Sequence, residues 1–373
     1  MRKFRKTIAV CLIAVLGIVS FTGCGEEEVK KAEAPKRASL ESSVTMTVAD
    51  GEAFGTVGKL SGDIKVDKVK DQGEVLKTLK SGKCDFAVLN PIEAARYYNE
   101  NGGIKVVSTL SLGDWTIAET GYEGDPAVVE DLVRLGGQTM VGIYDDPVAD
   151  EEETEGEFVP SLVDPNGQYT QDENGTWLDE DGNPAALDEA GYPLDGEGNP
   201  VELTEPEEPI ELKNMSEEVF QTLMAKENYG FYDGQISWQN VSDAKGYLDE
   251  TGARVLSNKK NLKKAVGSNK DYVDVYSMAE MWGKDFGSEI PGYVLVATDK
   301  FLKDRNYEVE GVLDIIADTL EESQKATDLK LVAYNMSNRG VVLVKDFLDD
   351  LAEYNSDAID GNSVDSKFYW SNR

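Results

Sequence analysis

The sequence predicts an α/β protein of two lobes, each built from a mixed, mostly parallel β-sheet flanked by helices. The main observation is that β-branched runs alternate with amphipathic segments, which is typical of parallel sheets covered on both faces. The alternation occupies residues 44–144 and begins again between 215 and 298. About 330 residues follow the N-terminal segment, more than one hydrophobic core usually supports, so the length also indicates two lobes.

The first lobe is predicted from residues 44–112. Strands are predicted at 44–48, 64–69, 84–89 and 104–112, and helices at 73–80 and 92–99. The strand segments are β-branched or alternate apolar with polar residues, whereas Val75, Leu76 and Leu79 fall on one helical face. Pro91 suits the first turn of the second helix, where its missing N–H costs nothing.

The second lobe repeats this scheme. Strands are predicted at 138–144, 271–276 and 292–297, and helices at 216–226, from 277 onward and over much of 299–355. We interpret 84–93 and 271–280 as equivalent points of the two lobes, because each joins a strand, a polar turn residue and a glutamate three residues further on. The alternative is chance, since alternation of aspartate with apolar residues is common.

The N-terminal segment predicts export and a lipid anchor. A basic start is followed by an apolar run at 7–21, which is shorter than the roughly 20 residues of a membrane-spanning helix. This is typical of a secretion signal. The run ends in Phe21-Thr22-Gly23-Cys24, which resembles a bacterial lipobox, so we expect a signal peptide at 1–23 and a lipid on Cys24. An uncleaved anchor is the alternative. The polar stretch 24–43 is predicted to be a flexible tether between the membrane and the folded part of the chain.

The composition excludes several classes of function. The chain contains no histidine, which rules out Ser-His-Asp and Cys-His catalysis and removes the commonest transition-metal ligand. No P-loop motif is present, and a net charge of −34 disfavours nucleic-acid binding. Cys84 lies in an apolar strand and is predicted to be a buried, unreactive thiol. We expect neither an enzyme nor a cofactor, although lysine- or carboxylate-based chemistry stays formally open.

An acidic insertion at about 148–212 fits neither lobe. Residues 145–212 contain 23 acidic residues and no Lys or Arg, about two thirds of the net charge. A degenerate repeat of turn residues predicts small hairpins. The alternating spacing of calcium ligands occurs at Asp179, Asp181 and Asn183, but Ala190 stands where the twelfth-position Glu is expected. The alternatives are a solvated, partly disordered insertion, a weak calcium site and a contact with cell-wall or partner proteins.

Four segments carry a family resemblance. They are a helix, Gly82, Asp85 and an apolar strand within 73–89, the run Arg-Leu-Gly-Gly-Gln-Thr-Met-Val-Gly at 134–142, the segment 290–302, and Asp-Ser-Lys-Phe-Tyr-Trp at 365–370. Together they resemble type II periplasmic binding proteins of ABC importers, in the branch for sulfonates, nitrate, taurine and thiamine precursors. Arg134, Gln138 and Met140 depart from that branch's Asp-Leu-x-Gly-Lys-x-Val pattern.

The resemblance implies a type II periplasmic-binding-protein fold with a two-strand hinge. Lobe I would comprise 44–117 and 290–373, and lobe II 118–289, with the hinge near 110–117 and 292–297. It also implies a monomeric lipoprotein on the extracytoplasmic face of the membrane. Such a protein closes on a small solute and delivers it to an ABC permease.

Ligands of open α/β sheets bind beyond the carboxyl ends of the strands. The predicted ligand contacts are therefore Asp50, Gly51, Glu52, Phe54, Asn90, Pro91, Trp115, Tyr144, Asp145, Ser277 and Met278. Each has a simpler interpretation: Asn90 as a helix cap, Asp50-Gly51 as a turn, Trp115 as core and Met278 as packing between lobes. The predicted rim contains Asp50, Glu52, Glu93, Asp145 and Glu280 and no Lys or Arg. This acidic rim favours a neutral or cationic ligand, such as a heterocycle stacked on Trp115 or Tyr144.

Two other function classes stay open at this point. A surface interaction lipoprotein could use the same fold and bind partners through the insertion, and an enzyme could be built on it. Because a fold does not fix a function, the transport role depends partly on analogy.

Overall fold

The computed structural model describes residues 40–51, 62–120, 139–144, 162–204, 210–226, 234–251, 254–267, 271–324 and 339–371, less positions 166, 173 and 189, with single residues between 55 and 60. The predicted signal peptide, Cys24 and most of the predicted tether lie outside these ranges, as do Glu52, Phe54 and Asp145. Among the described residues, no helix combines the length and apolar composition needed to cross a membrane.

The described elements alternate as predicted. The strands β1–β12 are Val44–Ala49, Ile64–Val69, Phe86–Leu89, Ile104–Thr109, Trp115–Thr120, Met140–Ile143, Thr170–Gln171, Trp177–Leu178, Ile236–Gln239, Arg254–Asn258, Tyr272–Ser277 and Val294–Thr298. The helices α1–α9 are Gln72–Lys80, Pro91–Asn101, Met215–Lys226, Val241–Thr251, Lys259–Val266, Met278–Asp285, Asp299–Arg305, Val309–Gln324 and Arg339–Tyr354. The sequence pattern predicts none of β9, α4, β10 and α5.

Two five-stranded sheets organise the molecule. The first has the order β2-β1-β3-β12-β4, in which only β12 runs against the other strands. The second has the order β9-β6-β10-β5-β11, in which only β5 is reversed. The central strands β3 and β12 are buried along their whole length, as apolar strands covered on both faces should be. The predicted mixed, mostly parallel α/β architecture is confirmed.

The two sheets correspond strand by strand, and this corrects one prediction. β1, β2, β3 and β4 occupy the positions of β6, β9, β10 and β11, with one reversed strand at the matching place. The counterpart of 84–93 is therefore 254–261, and the predicted equivalence with 271–280 is wrong. Only Val255 and Leu256 are apolar in β10, so its pattern was too short to indicate a strand. The longer run at 271–276 forms β11, at the edge of its sheet.

The chain crosses between the sheets at 110–114 and again at 286–293. The two crossings lie side by side: Leu110 N donates to Tyr293 O at 2.8 Å, Gly113 N to Ile290 O at 2.9 Å, and Gly292 N to Ser111 O at 2.8 Å. A Cβ on Gly292 would lie 2.7 Å from the Ser111 Oγ, so the close approach requires glycine. The predicted lobe boundary after residue 117 falls inside β5, which belongs to the second sheet. That the crossings act as a hinge stays a prediction.

One apolar core continues from the first sheet to the second. It joins Leu89 and Ile92 beside the first sheet to Phe220 and Trp282 beside the second, and Phe347 of α9 is part of it. The rings of Trp282 and Phe347 lie 5.2 Å apart. Cys84 is also buried in this core, and burial raises the pKa of its thiol to about 11, in keeping with the predicted unreactive thiol.

The described part of the insertion is a series of hairpin turns. Four aspartates, Asp172, Asp179, Asp188 and Asp195, each accept backbone N–H bonds at Oδ1 from the residues two and four positions later. A glycine with positive φ follows each aspartate by three positions. Val163 and Thr204 exchange backbone hydrogen bonds of 2.7 and 2.9 Å and so close the base of this region. Over 162–204 the predicted small hairpins are present, and a partly disordered insertion stays a prediction.

Candidate ligand-binding site

The first crossing joins the carboxyl edges of the two sheets, and the space between these edges is called the gap. β1 to β4 end at one edge of the first sheet, and the chain runs from Thr109 at that edge through 110–114 to Trp115. Trp115 begins the reversed strand β5 and pairs with Asn258 at the carboxyl end of β10. The crossing therefore joins one carboxyl edge to the other, and ligands of open α/β sheets bind beyond such edges.

Asp50 and Gly51 follow β1 on the first edge. Asp50 N donates to Val69 O at 2.8 Å, which ties the ends of β1 and β2 together. The Lys68 ammonium donates to Asp50 Oδ2 at 2.9 Å, and Gly51 N donates to Oδ1 at 2.9 Å. The Lys68 hydrogen bond is the main reason that the pKa of Asp50 is lowered. Asp50 therefore presents a neutralised pair at the gap and not a free negative charge.

Asn90 caps α2, as its simpler interpretation predicts. Its Oδ1 accepts from Glu93 N at 2.8 Å, and Pro91 occupies the first helical turn. Asn90 is half-buried, and its Nδ2 makes no hydrogen bond to the described part of the chain. The cap thus uses the oxygen of the side chain and leaves an N–H donor at the rim.

Glu93 is a buried charge that the sequence analysis counted as part of an acidic rim. It is 1% exposed, and Arg96 donates to both of its carboxylate oxygens at 3.0 and 3.1 Å. Lys213 N also donates to Glu93 at 2.6 Å, and Arg96 donates to Glu211 O at 2.7 Å and to Asp360 at 2.9 Å. The start of α2 is therefore fastened to the segment that enters α3, and Glu93 adds no free negative charge to the rim.

Tyr144 follows β6 on the second edge. Its backbone oxygen accepts from Asn261 Nδ2 at 3.0 Å, and its ring lies 5.5 Å from the ring of Trp238. Trp238 itself covers Gly142, where a Cβ would lie 2.3 Å from the indole. The half-buried Tyr144 ring thus extends an aromatic surface at this edge.

Asn258 is the counterpart of Asn90 that sequence reasoning missed. It caps α5 with φ −68° and ψ 154°, against −69° and 152° at Asn90, and its Oδ1 accepts from Asn261 N at 2.8 Å. The exposed residues Lys259 and Lys260 follow immediately. A short strand ending in asparagine before a helix was the signal available. The statement that the rim contains no basic residue therefore does not hold once β10 is recognised.

The remaining predicted residues have structural roles. Ser277 Oγ caps α6 by accepting from Glu280 N at 3.3 Å, and Met278 is fully buried in the shared core. Trp115 is 5% exposed, and its ring lies over Gly113, where a Cβ would be 2.0 Å away.

In the insertion, Asp179 Oδ1 accepts from the backbone N–H groups of Asp181 and Asn183. The described residues include no group of three or more His, Cys, Asp or Glu placed to hold a metal ion.

No family model and no curated protein matches the chain. Solved structures similar to it include an ABC transporter from Parabacteroides distasonis, with 12% identity, coverage of 89% of this chain and 100% of that one, and a TM-score of 0.48. The alkanesulfonate-binding protein SsuA from Xanthomonas axonopodis pv. citri, bound to MOPS, has 9% identity and a TM-score of 0.49, and the match covers 90% of this chain and 100% of that one. A YaeC-family lipoprotein from Enterococcus faecalis has 12% identity and a TM-score of 0.36, and the match covers 76% of this chain and 97% of that one.

Proposed function

We propose that this chain is an extracytoplasmic solute-binding protein that captures a small organic molecule between its two sheets and delivers it to an ABC importer. The observation that carries the proposal is the pair of matching sheets whose carboxyl edges meet across two adjacent crossings. A ligand in that gap touches both halves at once. Its binding energy can therefore favour one arrangement of the halves over another.

The proposed contacts lie at the strand ends and helix starts around the gap. From the first sheet these are Asp50, Gly51, Glu52, Phe54, Asn90 and Pro91, and from the second Tyr144 and Asp145, together with the start of α5. Asn90 offers Nδ2, and the first turns of α2 and α5 offer backbone N–H groups that no helical carbonyl accepts. Asp50 and Glu93 are each paired with a basic side chain. The contacts that remain combine uncharged donors with the aromatic residues Phe54 and Tyr144 and the acidic residues Glu52 and Asp145. Lys259 and Lys260 lie at the start of α5.

The proposed mechanism is binding and release without chemistry. The two halves close on the solute, the closed form docks on the permease, and a lipid on Cys24 keeps the protein at the membrane. Closure removes the polar contacts from water, which strengthens each of them. No bond in the solute is made or broken.

The proposal is tested by thermal unfolding of the full chain, solubilised in detergent, against uncharged amides, amines, alkanesulfonates, nitrate and calcium. A ligand at about a hundred times its Kd adds about 2.7 kcal/mol to the free energy of unfolding. We expect one organic class to raise the melting temperature. A shift with calcium alone would contradict solute capture, and so would the absence of any shift.

Matched cap variants locate the bound solute. Asn90→Ala and Thr298→Ala each remove a helix cap, at a cost of about 1 kcal/mol. Thr298 ends the reversed strand β12 and pairs with Ile104, so it lies at the edge away from the gap. We expect the ligand-induced shift to shrink in Asn90→Ala and to persist in Thr298→Ala. Equal shifts in both variants would place the solute elsewhere.

A further inference from the structure

Gln72 is a buried side chain whose hydrogen-bonding groups are unused. It is the first residue of α1 and is 4% exposed, yet neither Nε2 nor Oε1 has a hydrogen-bond partner. Buried polar groups in folded proteins are almost always paired, because an unpaired group loses its bonds to water without compensation. Two vacant groups on one amide indicate a partner other than the protein.

Gln72 lies at the carboxyl edge of the first sheet. α1 follows β2, so its first turn lies at the carboxyl edge of the first sheet, beside the Asp50–Val69 hydrogen bond. Val75, Leu76 and Leu79 share the buried face of the helix with Gln72. Because Cα–Cβ bonds tilt toward the N-terminus of a helix, a side chain in the first turn leans toward that edge.

The chemistry of a primary amide selects its partner. The amide presents one acceptor and two donor hydrogens side by side, so it pairs with a group that has an adjacent donor and acceptor. A sulfonate or nitrate offers acceptors only and would leave Oε1 unpaired, whereas an ammonium would leave Nε2 unpaired. At the same carboxyl edge, Asp50 and Glu93 are already paired with Lys68 and Arg96. The vacant amide therefore favours an uncharged group of complementary pattern.

We propose that Gln72 is a ligand-binding residue and that the solute carries a lactam or carboxamide edge. This inference rests on the proposed solute-binding function and specifies the chemical class that the gap accepts. Gln72 supplies the two-point hydrogen bond, and Asn90 Nδ2 supplies a further donor on the same edge.

The test compares Gln72→Met with the wild-type full chain in detergent. Methionine matches glutamine in length and removes both polar groups. We expect the melting temperature without ligand to stay level or rise, because a vacant buried amide is lost. Affinity for the amide probe that binds best, among uracil, nicotinamide and 2-pyrrolidone, should fall by about 10- to 100-fold in titration calorimetry. Gln171→Met, in the hairpin region, is the matched control and should bind normally.

Each result decides between distinct conclusions. Gln72→Glu keeps the shape of the side chain and should also weaken amide binding, which covers the case in which the methionine variant does not fold. Equal affinity in wild type and both variants, or binding of only sulfonate, nitrate or amine probes, would overturn the role of Gln72 and leave the proposed function standing. A lower melting temperature of Gln72→Met with unchanged affinity would assign the amide to a buried water. Absence of binding by every probe class would count against both proposals.

Discussion

Arg96→Met should destabilise the protein in a pH-dependent way. Arg96 is the basic partner of Glu93, whose side chain is 2% exposed, and it also binds Glu211 O and Asp360. Removing one partner of a buried ion pair costs about 3–5 kcal/mol, because the other charge stays buried and unpaired. Lys213 N still donates to Glu93 in the variant, so we expect the lower end, about 3 kcal/mol at pH 7, measured by urea unfolding.

The sign of the pH dependence follows from the pKa of Glu93. Burial already raises this pKa in the wild type, which means that the folded state binds the proton more tightly than the unfolded state. Loss of Arg96 raises the pKa of Glu93 further. The variant therefore loses most free energy of unfolding at pH values where Glu93 is ionised, and the loss shrinks as the pH falls toward the ordinary glutamate pKa of about 4.3. The double variant Glu93→Gln/Arg96→Met should recover part of the loss at pH 7. A loss under about 1 kcal/mol, or one equal at pH 7 and pH 4, would refute this reasoning.

Three further predictions concern other parts of the molecule. Burial and the neighbouring Asp346 raise the pKa of Asp350 to about 6 from its ordinary 3.8, so its ionisation opposes folding above pH 6. Asp350→Asn should therefore stabilise the protein by roughly 1–2 kcal/mol at pH 7 and by almost nothing at about pH 3, where the carboxyl is mostly protonated in both states, in urea unfolding at the two pH values. Replacing residues 164–203 by Asn-Gly should leave the melting temperature within a few degrees, since Val163 and Thr204 already pair and Asn-Gly closes a two-residue hairpin; loss of folding would show that the insertion supports the sheets. Gly292→Ala should lower the free energy of unfolding by about 1–3 kcal/mol, because the new Cβ meets Ser111 Oγ and the Leu112 backbone. The control Gly283→Ala lies in α6 with its nearest contact at 3.7 Å and should raise the free energy of unfolding by about 0.5–1 kcal/mol. Equal effects of the two variants in thermal unfolding would contradict the close approach of the crossings.

Strands with apolar runs or a regular alternation of apolar and polar residues could be predicted from the sequence, whereas the short strands β9 and β10 could not. β1, β3 and β12 are buried on both faces, so almost every residue carries the signal. Every residue of β9 is half-buried, and β10 has two apolar residues between polar ones, so neither stands out from a loop. Because β10 was not predicted, β11 was wrongly matched with β3 when the two lobes were compared. β9 and β10 were missed because their few apolar residues do not differ enough from those of a loop, whereas the patterns of the buried strands were interpreted correctly.

The positions of the site residues could be predicted better than their charge state. Asp50 and Asn90 lie at the carboxyl edge, as the alternation of strands and helices requires. The partner of Asp50 is eighteen residues away on a neighbouring strand, and Arg96 gains Asp360 and Glu211 only through tertiary contact. Glu93 and Arg96 are three residues apart on a helix, so that pairing was available from spacing alone. A count of acidic residues therefore overstated the negative charge of the rim.

The shared core restricts how the proposed closure can occur. α9 packs on β4 of the first sheet and on α3 beside the second, and Asn355 after α9 donates to the Glu218 carboxylate of α3 at 2.8 Å. On the same side Lys226 Nζ donates to Tyr354 OH at 2.8 Å, and Phe286 lies 5.7 Å from the ring of Tyr354. Separating the halves here would expose buried aromatic surface, which is costly. In the proposed mechanism the halves therefore stay in contact along α9, and the motion consists of rotation that widens or narrows the gap where Asn90 and Tyr144 lie.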